Sequence, residues 1–276
     1  MVVIGVLLFP TFFVWEKWFA RTHFIRYEVF KNRSVAGACL LSAILNFNFS
    51  MWDIWLQNFL LTVYNIGQVY AGYTMQTYSV GSTFFSVVVG IYIYKTKHFK
   101  YLCLCFGLPL MILGSGLMIH FRSADHGIGY LIMCQIFIAF AGGTLVIGED
   151  MAVMAGGDRE GIPLALALIN LFYSVGGAIG QAACAGVYNN LFLPTLTNGL
   201  SADMKSEATT IFIGGINTQL SYAPGTQTRE AINHAYGWVQ RQNCIGSTAI
   251  LVLGIPAIMM WKNFNVDKRQ NKGTLL

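Results

Sequence analysis

One carboxylate in this sequence sits inside a long apolar run with polar residues at helical spacing around it. Asn46, Asp53 and Gln57 are separated by seven and four positions. At about 100° per residue they point in one direction from a helix axis, with Ser42 and Ser50 flanking the stripe. A carboxyl group between two carboxamides can take up and release a proton and can hydrogen-bond a polar solute. Covalent catalysis is not indicated: there is no Gly-x-Ser-x-Gly, no His-Glu-x-x-His, no pair of carboxylates at helical spacing within an apolar run, and no phosphate-binding glycine loop with its lysine. The five histidines, His23, His98, His120, His126 and His234, are scattered over different connections. The six cysteines, Cys39, Cys103, Cys105, Cys134, Cys184 and Cys244, fall in or beside apolar runs without a Cys-x-x-Cys. Neither set has the spacing of a metal site or a disulfide framework, so no metal and no cofactor is expected.

The elements that must carry these residues are set by composition. Hydrophobic residues make up 55% and charged residues 11% of the 276, and the mean hydropathy is +0.56. Soluble domains carry roughly 25% charged residues, so the chain reads as an all-α membrane protein, helical because lipid leaves backbone polar groups no partner outside the helix. About seven transmembrane helices are expected, over residues 1–15, 35–62, 74–94, 101–120, 128–148, 163–192 and 244–261. The first run is short and opens at Met1 without a basic leader or cleavage site, as a clipped helix or a fragment would. The net charge of +5 comes without a basic cluster interleaved with aromatic residues, which excludes a nucleic-acid surface. The connections on one side collect thirteen Lys and Arg and those on the other only Arg122, Lys205, Arg229 and Arg241. By the positive-inside rule the C-terminus is cytoplasmic and residue 1 external. Asp53 then lies about 28 Å along a helix begun at Ser34. That height fits solvation among the outer headgroups as well as a polar cavity between helices.

Four regions follow: helices one to six over 1–192, an extracellular loop with an amphipathic helix over 193–242, the last span over 243–262, and a cytoplasmic tail over 263–276. In the loop, Thr226 or Thr228 can cap a helix with Glu230 in its first turn. Ala231, Ile232, Ala235, Tyr236 and Val239 give that helix one apolar stripe. Tyr222, Arg229 and Tyr236 mark it as an external cap, acting as a structural lid or as a substrate contact. Gly176, Gly177 and Gly180 form a small-residue face for close helix approach, and Pro256 should distort the last span. Glu149 and Asp150 close the fifth span, followed by a charged turn with Asp158, Arg159 and Glu160.

In order and spacing, several of these residues resemble the C-terminal half of fungal siderophore-iron transporters of the major facilitator superfamily. The likeness runs through Trp15-Glu16, Lys31-Asn-Arg33, Trp52-Asp53, Ala71-Gly-Tyr73, Gly116-Leu-Met-Ile119 with Arg122, and Gly176-Gly-Ala-Ile-Gly180. It continues in Pro224-Gly-Thr226, Arg229-Glu-Ala-Ile232 and Tyr236. Two positions depart from the family pattern: Tyr222-Ala-Pro-Gly225 where Tyr-Pro-x-Gly is usual, and Tyr188-Asn-Asn190 where a Trp is common. The resemblance implies about fourteen spans in the whole carrier, of which these would be the last seven, with an N-terminal half missing. It also implies import of ferric siderophores by proton-coupled alternating access, in a plasma membrane or an endosomal vesicle membrane. The partners would be the iron chelate, protons and the bilayer. The cavity would lie against Asn46, Asp53 and Gln57, with Tyr70 and Tyr73 at its mouth. Two other readings share the topology, a seven-helix cell-surface receptor and a related exchanger for another organic solute.

Overall fold

Residues 32–123, 126–156 and 162–265, together with Thr11, Val14, Trp15 and Trp18, are described by a computed structural model. The rest of the expected first span, the turn with Asp158, Arg159 and Glu160, and the tail beyond Asn265 lie outside the described residues. Among the described residues every regular element is helical. Six segments are long and apolar enough to cross a bilayer: Arg33–Thr62, Gln68–Thr96, Lys100–Phe121, Ile128–Ala155, Ile162–Gly199 and Gln227–Met259. The expected all-α membrane architecture holds.

Local chemistry sets the ends and bends. The first segment is two helices, α1 (Arg33–Asp53) and α2 (Leu56–Thr62), interrupted at Ile54 and Trp55. Asn32 caps α1 by accepting from the Ser34 N–H at 3.1 Å. Next comes α3 (Gln68–Thr96), which stops where Lys97 turns left-handed at φ 60°. A π-turn over Cys103–Gly107 leads into α4 (Leu108–Phe121). Pro109 stands just after that turn, and its missing N–H favours the irregular turn before it. Two long helices follow, α5 (Ile128–Gly156) and α6 (Ile162–Gly199). The region expected to be a loop is then largely helical: a 3-10 turn over Ala202–Glu207, α7 (Ala208–Ile213) and α8 (Gly215–Ser221). From the Thr226 cap, α9 (Gln227–Ile250) runs unbroken through Asn243, so the amphipathic segment and most of the last span are one rod. A 3-10 turn over Leu251–Leu253 separates it from α10 (Gly254–Met259), which contains Pro256.

At the centre stands α1, packed on α6, α5, α9 and α10. The α1–α6 contact is nearly backbone on backbone. A Cβ at Gly176 would overlap the Ala43 carbonyl, one at Gly177 the Asn46 amide, and one at Gly180 would lie 2.8 Å from the Phe47 carbonyl oxygen. Small residues permit that approach where no aqueous hydrophobic effect drives helix association. The contrast is α3, which is carried chiefly by α5 and buries only Ala71, Thr74, Val89 and Ile93. The two ends of the bundle are called here the Arg229 end and the Trp261 end.

Replacing Gly176 by Val should therefore force α1 and α6 apart and cost about 3 kcal/mol. Gly186, with open space where its Cβ would stand, should accept Ala with a gain of about 0.5 kcal/mol. Thermal unfolding of the purified protein in detergent checks both, and a Gly176 variant as stable as the parent would remove the close-contact account.

Candidate functional site

The stripe is divided over two helices, with Asn46 and Asp53 on α1 and Gln57 on α2. Asn46 is engaged at the α1–α6 crossing, where its Nδ2 donates to the Tyr173 carbonyl at 2.7 Å. Asp53, partly buried, is the last residue of α1. Gln57 begins the second turn of the stripe on α2 and faces a different space. Helical periodicity requires an unbroken helix, and this one is interrupted at Ile54 and Trp55, just before Gln57.

The interruption is held by a residue from another helix. Arg122, 1% exposed, donates from Nη1 to the Trp52 carbonyl at 2.6 Å. A continued helix would offer that carbonyl to residue 56. The same guanidinium lies 5.5 Å from the centre of the Phe59 ring and 3.9 Å from Cys244 Sγ, and its charge reaches Asp53. Below it, Asn48 donates to the Ser247 carbonyl at 2.9 Å and approaches Ser115 Oγ at 3.4 Å. Asn243 donates to Cys184 Sγ at 3.2 Å. Several polar atoms of this core have no partner, among them Arg122 Nε and Nη2, Asn48 Oδ1, Asn243 Oδ1 and both side-chain polar atoms of Gln240 and Gln135. A polar core with spare donors and acceptors, buried among apolar spans, suits a protein that changes partners as it works.

The residues of the segment between α6 and α9, with the start of α9, serve as ties. Arg229 is 1% exposed and satisfies four carbonyls: Gln219 at 2.8 Å, Tyr222 at 3.3 Å, Thr62 at 2.9 Å and Leu61 at 3.4 Å. Two of these are the orphaned last carbonyls of α2, so the planar guanidinium fork caps a helix and fastens the α8–α9 turn to it. Tyr236 is fully buried and donates to Gln219 Oε1 at 2.7 Å, beside a cluster of Tyr188, Phe192 and Phe212. Tyr222 is less deep and lies 3.4 Å from Glu207 Oε2. Burial among apolar groups, with the Glu207 carboxylate adding to it, pushes the Tyr222 phenol above its ordinary value.

Two cavities open at this end. One, about 620 Å³, is rich in carboxamides: Gln57, Asn58, Asn65, Gln68 and Asn217 line it. Tyr70 and Tyr73 stand on the first turns of α3 just beyond, exposed and edge to face at 6.4 Å between ring centres. The other, about 650 Å³, has Arg122 in its wall with His120, His126, His234, Trp238 and Arg241. Among the described residues no three His, Cys, Asp or Glu side chains come together as a metal site.

Two residues escaped the sequence reading. Arg122 looked like a loop charge because it follows the last apolar residue of α4, yet its long stem reaches back into the bundle. Glu149 looked like the end of a span, but α5 continues to Gly156 and leaves Glu149 4% exposed. The signal available for it was the uncharged run Met151–Gly157, long enough for two more helical turns.

Fold and site together define a polytopic α-helical membrane bundle with a polar, partly unsatisfied interior. No protein-family model matches the chain. Among individual proteins it is 56% identical over all 276 residues to siderochrome iron transporter 2 of Aspergillus fumigatus, covering 46% of that protein. It is 44% identical over its whole length to MFS siderochrome iron transporter 1 of Ajellomyces capsulatus, covering 47%. Against siderophore iron transporter mirB of Emericella nidulans the identity is 35% over 99% of the chain and 45% of that protein. The chain thus spans about half the length of the curated relatives it matches, an extent consistent with a C-terminal half. It belongs to the fungal siderophore-iron transporter family of the major facilitator superfamily. These relatives are named as transporters, not as enzymes, and the receptor and exchanger readings find no support among them.

Replacing Arg229 by Met should leave four carbonyls without their donor and cost about 3 kcal/mol or more. Arg229→Lys should recover only part of this, because an ammonium cannot span both pairs. Proteolysis of the 200–226 segment in native membranes reads the effect, with cleavage accelerated in the order Arg, Lys, Met.

Proposed function

We propose that this chain is the C-terminal part of a carrier that imports ferric siderophores by proton-coupled alternating access. The observation that carries the reading is the 56% identity over all 276 residues to a protein named as a siderochrome iron transporter. The chemistry of the cavities agrees with it. A siderophore brings the iron's oxygen ligands with it, so the cargo asks its carrier for a roomy polar cavity with aromatic walls. The carboxamide-lined cavity at Gln57, with Tyr70 and Tyr73 beyond it, offers neutral donors and acceptors to such a chelate. Asn46 would contribute through its bond to the Tyr173 carbonyl at the α1–α6 contact. Asp53, in the field of Arg122, is one acid available for proton coupling.

In this reading the Arg229 end is external, Tyr222, Arg229 and Tyr236 form its cap, and the exposed face of α3 meets the other bundle of the carrier. Alternating access rocks two such bundles about a site between them. The working membrane would be the plasma membrane or that of an endosomal vesicle.

Accumulation of iron-59 presented as a ferric hydroxamate tests the proposal. Cells carrying the complete protein should show saturable, protonophore-sensitive uptake, and cells carrying this chain alone should show none. Uptake by the chain alone would overturn the half-carrier reading. Within the complete carrier, Asp53→Asn should lower proton-driven uptake by about tenfold or more. Unchanged uptake with an unchanged pH profile would remove Asp53 from the coupling path.

A further inference from the structure

Against the N-terminal half of α1 lies a second carboxyl group with a different environment. Glu149, on α5, is 4% exposed, and its Oε2 has no hydrogen-bond partner among the described residues. The hydroxyl facing it is that of Ser42 on α1, itself 3.5 Å from the Ile169 carbonyl on α6. Among the described residues, the titratable groups within electrostatic reach are Cys39 of α1, Cys103 of the π-turn, Tyr78 of α3, Tyr173 of α6 and the neighbouring Asp150. None of these carries a positive charge in any protonation state. Lys100, a cation of this end, places its Nζ on the carbonyls of Met259 and Trp261. Asp53 has Arg122 to balance its charge, whereas the groups that act on Glu149 among the described residues are hydroxyls, thiols and another carboxylate.

A buried carboxylate must be compensated, and among the described residues the helices packed around Glu149 supply no counter-ion. We propose that Glu149 is a proton-carrying site of the transport cycle, protonated while α1, α5 and α6 are packed as here and releasing its proton when their separation admits water at the Trp261 end. The step is a transfer of one proton to and from a carboxylate oxygen, with no electron moved and no co-reactant. The position favours it. Glu149 sits where three helices meet, beside Gly148, whose missing side chain lets Cys103 and Trp261 close over the site. A rocking motion that opens this contact changes the solvation of the carboxyl directly. This inference rests on the proton-coupled carrier reading above.

The test uses the complete carrier, with this segment in place of the matching segment of the Aspergillus fumigatus relative, reconstituted in vesicles. Glu149→Gln should abolish accumulation driven by a pH gradient, by about tenfold or more, while exchange of labelled for unlabelled ferric siderophore at equal concentrations stays within about twofold and loses its pH dependence. Glu149→Asp should restore gradient-driven accumulation in part. If the Gln variant accumulates normally, or loses exchange and accumulation together at normal membrane abundance, the proposal fails. Should that variant not reach the membrane, the unmodified carrier still decides. A hydrophobic carbodiimide, which adds to protonated carboxyl groups in apolar surroundings, should modify Glu149 at pH 6, and siderophore turnover should protect it; absence of the adduct at every pH overturns the assignment. Uptake by the unmodified carrier that ignores protonophores would instead refute proton coupling itself, whatever the labelling shows.

Discussion

The approach of α1 to α6 is the constraint on which the other contacts depend. Between two helices that bury Gly176, Gly177 and Gly180 against Ala43, Asn46 and Phe47 there is no side-chain cushion. Their separation is set by backbone van der Waals contact and can widen only by losing it. Because α1 also touches α5, α9 and α10, its position fixes the rest of the bundle. The Asn46 bond to Tyr173 and the placing of Ser42 opposite Ile169 both follow from that one spacing.

With α1 fixed, the polar chemistry of the interior divides into two unlike halves. Toward the Arg229 end the cations are spent on backbone: Arg122 on the Trp52 carbonyl at the helix break, Arg229 on the end of α2. Those bonds make irregular backbone tolerable at membrane depth, where an unmet carbonyl is costly. Toward the Trp261 end, Lys100 holds the carbonyls of Met259 and Trp261 in the same manner, and Glu149 has no charge partner among the described residues.

Much of this was legible in the sequence, for physical reasons that can be named. Apolar length against bilayer thickness located the spans, and the glycine face at 176–180 announced a close crossing. The Thr226 cap and the apolar stripe through Tyr236 announced the start of α9. What stayed hidden is tertiary. Ile54 and Trp55 contain neither Gly nor Pro, so the α1–α2 break is not a local preference; it is stabilised by Arg122, seventy residues away. The stripe of Asn46, Asp53 and Gln57 rested on uninterrupted periodicity, and the break puts Gln57 on a separate helix from the other two. Glu149 was misjudged because a charge was taken to end a span, when its neighbours in space, Ser42 and Cys103, keep it inside.

The unbroken run of α9 gives the molecule a mechanical property. Twenty-four residues of helix make a rod about 36 Å long, stiff on the timescale of domain motion. Its upper turns are bolted to α2 and α8 through Arg229 and Tyr236, and its lower turns lie against α1 where Asn48 grips the Ser247 carbonyl. Such a rod cannot absorb strain along its length. It must pass any tilt imposed at the cap to the 3-10 turn at Leu251–Leu253, the first compliant joint the last span possesses.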